Sequence, residues 1–107
     1  MSATDYCIVY VTAGSAEEAK KVADAVVGRK LAACANISGP IRSVYWWKGT
    51  LHDEPEMLLV MKTRLEMFDQ LKQAVLEVHS YEVPEIIAAP ILAGHKPYLD
   101  WIGESVE

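Results

Sequence analysis

An α+β sandwich of β-α-β-β-α-β order, closed by one further helix, is the fold this sequence predicts. Two segments carry apolar residues at helical spacing, and each lies between runs rich in β-branched and aromatic residues. The two middle runs follow one another closely enough to form a hairpin. Prolines interrupt the second and fourth runs, at Pro40 and Pro90, and spare the first and third. Proline cannot donate to a ladder, so the second and fourth strands belong at the edges and the other two at the centre.

The elements follow in order. Residues 6–13 form a strand apolar on both faces and stopped by Gly14. Ser15-Ala16-Glu17-Glu18 reads as a capping box, with the Ser15 hydroxyl on the amide of residue 18 and the Glu18 carboxylate reaching back to residue 15. A helix follows, its stripe made by Ala19, Val22, Ala23, Val26 and Val27, and Gly28 weakens its last turn. Residues 31–38 return as a strand that kinks at Gly39-Pro40 and continues through residues 41–49, a stretch about 30 Å long at ~3.3 Å per residue. Such a strand overhangs its sheet. Thr50 to Pro55 is expected as the hairpin's turn, with Asp53 and Glu54 exposed, and Glu56 to Thr63 as the returning strand. Leu65, Phe68, Leu71, Val75 and Val78 mark a second helix, Glu85 to Leu92 a last strand, and Pro97 the first residue of a short helix reaching about Gly103.

Two crossover units joined by a hairpin make the ferredoxin-like split arrangement, with both helices on one face of the sheet. Met57, Leu59 and Met61 alternate with Leu58 and Val60 on the third strand, so the second face also needs cover. Self-association is the expected cover, with Trp46 and Trp47 as anchors.

The chain has 107 residues, 51% of them hydrophobic, which suits one domain spanning residues 1–107. The apolar run from Ile86 to Ala93 is broken by Pro90 and falls far short of the roughly 18 residues of a membrane helix. The acidic start Met1-Ser2-Ala3-Thr4-Asp5 is unlike a signal peptide, and the expected location is the cytoplasm. Ten Lys and Arg against fifteen Asp and Glu leave a net charge of −5, unfavourable for nucleic acid. Cys7 and Cys34 lack CxxC spacing and read as buried thiols. With no nucleophile motif and no acids at telling spacing, the chain is not expected to be an enzyme.

Lys30-Leu31-Ala32-Ala33-Cys34-Ala35-Asn36-Ile37, Ser43-x-Tyr45-x-Trp47-x-Gly49, Glu56, Lys62-Thr63, His79-x-Tyr81-x-x-Pro84-Glu85 and Tyr98-Leu99-x-Trp101 together resemble the CutA divalent-cation-tolerance family over nearly the whole chain. The resemblance implies a ferredoxin-like homotrimer, similar in architecture to the nitrogen-regulatory P-II signal proteins, and a part in the response to divalent metal ions such as copper. No cofactor is obligatory; Cu(II) or another divalent cation is the expected ligand. Borderline and soft ions prefer imidazole and thiolate, which makes His79, His52, His95, Cys7 and Cys34 the candidates. His79 leads, with Glu85 as its carboxylate partner. The alternative is an imidazole that merely caps a helix end.

The likeness to P-II proteins gives a second expectation, a small-molecule cleft between subunits. Lys62 ends an apolar strand where an ammonium needs a partner, and Glu56, Tyr45, Trp47, Tyr81 and Trp101 offer a carboxylate, hydroxyls and flat walls. Equally, Lys62 pairs with Glu56 or Glu85 and the aromatics pack the subunits. A third expectation is a stable trimeric scaffold with no dedicated ligand.

Overall fold

The computed structural model describes residues 4–107. Its elements are β1 (Tyr6–Ala13), α1 (Ala16–Gly28), β2 (Cys34–Trp47), β3 (Thr50–Arg64), a 3-10 turn (Leu65–Met67) running into α2 (Phe68–Val78), β4 (Ile86–Pro90) and α3 (Lys96–Ser105). The strands form one antiparallel sheet in the order β2-β3-β1-β4. This is the ferredoxin-like order, with the strands that carry Pro40 and Pro90 at the edges.

One face of the sheet carries the core. Cys7, Val9, Val11 and Ala13 of β1 and Leu59 and Met61 of β3 are buried against Ala19, Val22 and Val26 of α1 and Leu71, Ala74 and Val75 of α2. Alternation sends Tyr6, Ile8 and Tyr10, with Leu58 and Val60, to the opposite face, where they are only half-buried. Ile102 of α3 is fully buried yet stands outside the main core cluster. α3 contacts β1 and β3, and a side chain at Gly103 would meet the Tyr6 hydroxyl at 2.8 Å. Tyr6 belongs to the second face, so α3 covers part of that face.

The hairpin differs from expectation. Its turn is Lys48-Gly49, not Thr50 to Pro55. Both turn residues have positive φ, +49° and +77°, the primed two-residue geometry whose twist matches its flanking strands. Residues 50–55 instead extend β3, with Pro55 opposite Arg42 and Glu54 opposite Ser43. Pairing of β3 with β1 begins only at Met57. A proline is tolerated at 55 because no second neighbour asks for its missing N–H. Residues 41–47 and 50–56 therefore form a two-stranded ribbon beyond the four-stranded body, which is the expected overhang. Between Ser38 and Ile41 the register shifts. Gly39 there has φ +139°, and any Cβ would stand 3.0 Å from the Glu56 carbonyl oxygen.

β2 begins at Cys34 rather than at residue 31. The Leu31 N–H is committed to closing α1 through the Val26 carbonyl, and the Leu31 carbonyl accepts from the buried Thr63 hydroxyl at 2.7 Å. Leu31 and Ala32 are thus core residues outside any strand.

Candidate functional site

Where the ribbon leaves the body, side chains two residues apart fall on one face of each strand. Ser43, Tyr45 and Trp47 of β2 stand beside Glu54 and Glu56 of β3, with Thr12 near the end of β1. The loop between α2 and β4 adds Tyr81, Glu82, Val83 and Glu85. Together with Val44 they line a cleft of about 500 Å³, a volume usual for small-molecule sites.

Its carboxylates are held in different ways. Glu56 is 7% exposed and accepts a 2.7 Å hydrogen bond from the Tyr81 hydroxyl. Burial and that bond push the Tyr81 phenol well above its ordinary value, so it remains a donor. Glu54 accepts from the Tyr45 hydroxyl at 3.3 Å and lies 3.2 Å from Nδ1 of His52. Desolvation and the Glu54 charge raise Tyr45 likewise. Glu82 pairs with Lys48 at 3.1 Å. Glu85 is exposed and has no hydrogen-bond or ion-pair partner among the described residues.

Beside the cleft lies a buried polar knot. The His79 side chain has no exposed surface; its Nε2 donates to the Thr12 carbonyl at 2.7 Å, and its Nδ1 accepts from the Tyr81 N–H at 3.1 Å. The imidazole so ties the end of α2 to β1. The Glu18 carboxylate stands 3.0 Å from Nδ1 and accepts from Ser80, at 3.0 Å from its N–H and 2.7 Å from its hydroxyl. Only half of the expected capping box forms: the Ser15 hydroxyl accepts from the Glu18 N–H at 3.1 Å, while the Glu18 side chain turns to the α2 end.

Four of the six residues expected in a ligand cleft meet there: Tyr45, Trp47, Glu56 and Tyr81. Lys62 lies elsewhere, bonded to Asn36 across the β2–β3 pair, and Trp101 of α3 packs on Tyr98 with ring centroids 5.5 Å apart. Of the two expected metal ligands, Glu85 lines the cleft and His79 does not. Among the described residues no group of three or more His, Cys, Asp or Glu is assembled to hold a metal ion. Sequence reasoning missed Glu82, and it read Glu54 only as part of an acidic, solvated loop and Glu18 only as part of a capping box. An acidic turn reads as a solvated one, and the α2–β4 loop gives no periodic signal.

The sheet order, α1 and α2 together on one face and the acidic, aromatic cleft beside the ribbon define a ferredoxin-like α+β protein with a ligand-sized site. Residues 7–105 match the model of the CutA1 divalent ion tolerance proteins, and the chain belongs to that family. It is 46% identical over 99 residues to the divalent-cation tolerance protein CutA of Archaeoglobus fulgidus, covering 92% of this chain and 96% of that one. It is 45% identical over 98 residues to the chloroplastic protein CutA 1 of rice, covering 92% of this chain but 55% of the relative. The solved divalent cation tolerance protein of Thermus thermophilus superposes with a TM-score of 0.92 at 41% identity, over 95% of this chain and 99% of that one. No helix among the described residues is long and apolar enough to cross a membrane.

Proposed function

We propose that the chain acts in divalent-cation tolerance as a homotrimer that takes up copper or another divalent ion at the cleft, with Glu85 as the first ligand and His79 as the second. One observation carries this reading: Glu54, Glu56, Glu82 and Glu85 all line one cleft, and Glu85 has no partner of its own among the described residues. Recruiting His79 means exchanging its bond to the Thr12 carbonyl or to the Tyr81 N–H for the metal. Such exchange ties metal uptake to the α2 end. The free thiols Cys7 and Cys34 suit a reducing compartment, and we place the chain in the cytoplasm on that ground.

The test is a calorimetric titration of the purified protein with Cu(II) and with Zn(II), beside Glu85→Gln and His79→Ala, after light scattering has fixed the mass. Stoichiometric binding by the parent, lost in both variants while circular dichroism stays unchanged, is the expected result. Binding that is weak in the parent and indifferent to Glu85→Gln overturns the metal site.

The walls of the cleft favour a second reading, a small-molecule site of the kind P-II-like trimers place between subunits. Tyr45, Trp47 and Tyr81 give it flat surfaces that a metal ion does not use.

A further inference from the structure

We propose that the cleft is a receptor for an organic ammonium ion, an alkyl mono- or diamine, and that Lys48 is its tethered competitor. The inference rests on the small-molecule reading and names its ligand class.

Charge sets the sign of the ligand. Four carboxylates face the cleft, while Lys62 is held by Asn36 elsewhere. Apart from the exposed Lys48 at the hairpin tip, the charges an anionic ligand meets there are repulsive. The tyrosine hydroxyls that donate to Glu54 and Glu56 orient these carboxylates without cancelling their charge.

The walls set the rest. A bare divalent ion wants several oxygens converging on one point, and among the described residues no such group is assembled. An ammonium on an alkyl chain wants a carboxylate at its head and an aromatic face along its length, as in other cation–π seats. The protein already builds that seat for itself. The Lys48 ammonium lies 5.5 Å from the centroid of Trp47 and 3.1 Å from a carboxylate oxygen of Glu82, and both of those residues line the cleft. Lys48 sits at the tip of the hairpin with its side chain 66% exposed, so it leaves at little cost. A free amine takes its place on Trp47 and Glu82 and extends toward the unpaired Glu85.

The test titrates the intact protein with 1,4-diaminobutane by calorimetry at fixed ionic strength, beside the neutral 1,4-butanediol. Two variants accompany it. Glu85→Gln removes an exposed carboxylate, and Lys48→Asn removes the competitor while suiting the positive φ of the turn. Saturable binding of the diamine alone is expected, weakened by roughly three- to tenfold in Glu85→Gln and tightened by roughly two- to fivefold in Lys48→Asn. Equal response to the diol, no saturable response to the diamine, or Lys48→Asn binding no tighter than the parent each overturns the proposal. Cu(II) titration of the same samples judges the metal reading separately, so either can fail alone. A neutral ligand that binds where the diamine does not spares the small-molecule reading and refutes the ammonium.

Discussion

The Glu18 carboxylate accepts two hydrogen bonds from Ser80 and stands 3.0 Å from the buried imidazole of His79, joining the first turn of α1 to the end of α2. Burial raises its pKa, but the two bonds from Ser80, with the neighbouring His79 ring and the Lys21 ammonium, outweigh burial and leave the group below its ordinary value of 4.5. A carboxyl with a depressed folded pKa contributes stability that is complete above its unfolded pKa and is lost as pH falls through the folded one. Glu18→Gln therefore lowers stability at neutral pH and flattens the acid limb below about pH 5. Denaturant unfolding of parent and variant at a series of pH values checks this, and parallel acid limbs would sink it. Ser15-x-x-Glu18 announced the helix start because a cap is local in sequence. The true partners of Glu18 lie 62 residues away, beyond the reach of any local pattern.

The end of α1 shows the same limit at the scale of an element. Gly28, expected to weaken the last turn, is the last helical residue, and the left-handed position falls beyond it on Lys30 at φ +58°. The Leu31 N–H bonds the Val26 carbonyl at 2.8 Å and the Lys30 N–H bonds that of Val27 at 3.0 Å, the paired bonds of a Schellman cap. A lysine in this conformation carries steric strain that glycine lacks. Lys30→Gly should stabilise the chain by about 0.5–1 kcal/mol, the strain relieved exceeding the added chain entropy and the exposed Lys30–Glu107 pair. An unchanged or lower midpoint in urea would contradict it. The hairpin was misplaced for a related reason. Asp53, Glu54 and Pro55 have the composition of a turn, but composition cannot show that Lys48-Gly49 takes two positive φ angles and that residues 50–56 have a single neighbouring strand. Strand order was legible, because Pro40 and Pro90 exclude their strands from the centre and the apolar spacing of both helices is unambiguous.

For the whole molecule, the deciding quantity is apolar surface. The ribbon carries Trp46 at 71% exposure, cross-strand from an exposed Leu51, with an exposed Val44 two residues before it. Half-buried Tyr10, Leu58 and Val60 form a second open apolar area on the opposite face of the sheet, of which α3 covers one part. Exposed apolar areas of this kind mark interfaces. Sequence alone required a cover for the sheet's second face, that of Tyr10, Leu58 and Val60, and one chain does not supply it in full. Strand alternation separates Trp46 from Trp47: one is offered to a neighbour, the other lines the cleft. The two tryptophans, both expected as anchors, thus have different consequences when removed. Trp46→Ala should weaken a trimer by about 2 kcal/mol or more per site, the loss typical of a central aromatic anchor, and Trp47→Ala should act more on the cleft. Light scattering across a dilution series reads the first, and amine titration reads the second. A Trp46→Ala protein that keeps the parent's mass and melting temperature at every dilution would remove this ribbon face from the assembly.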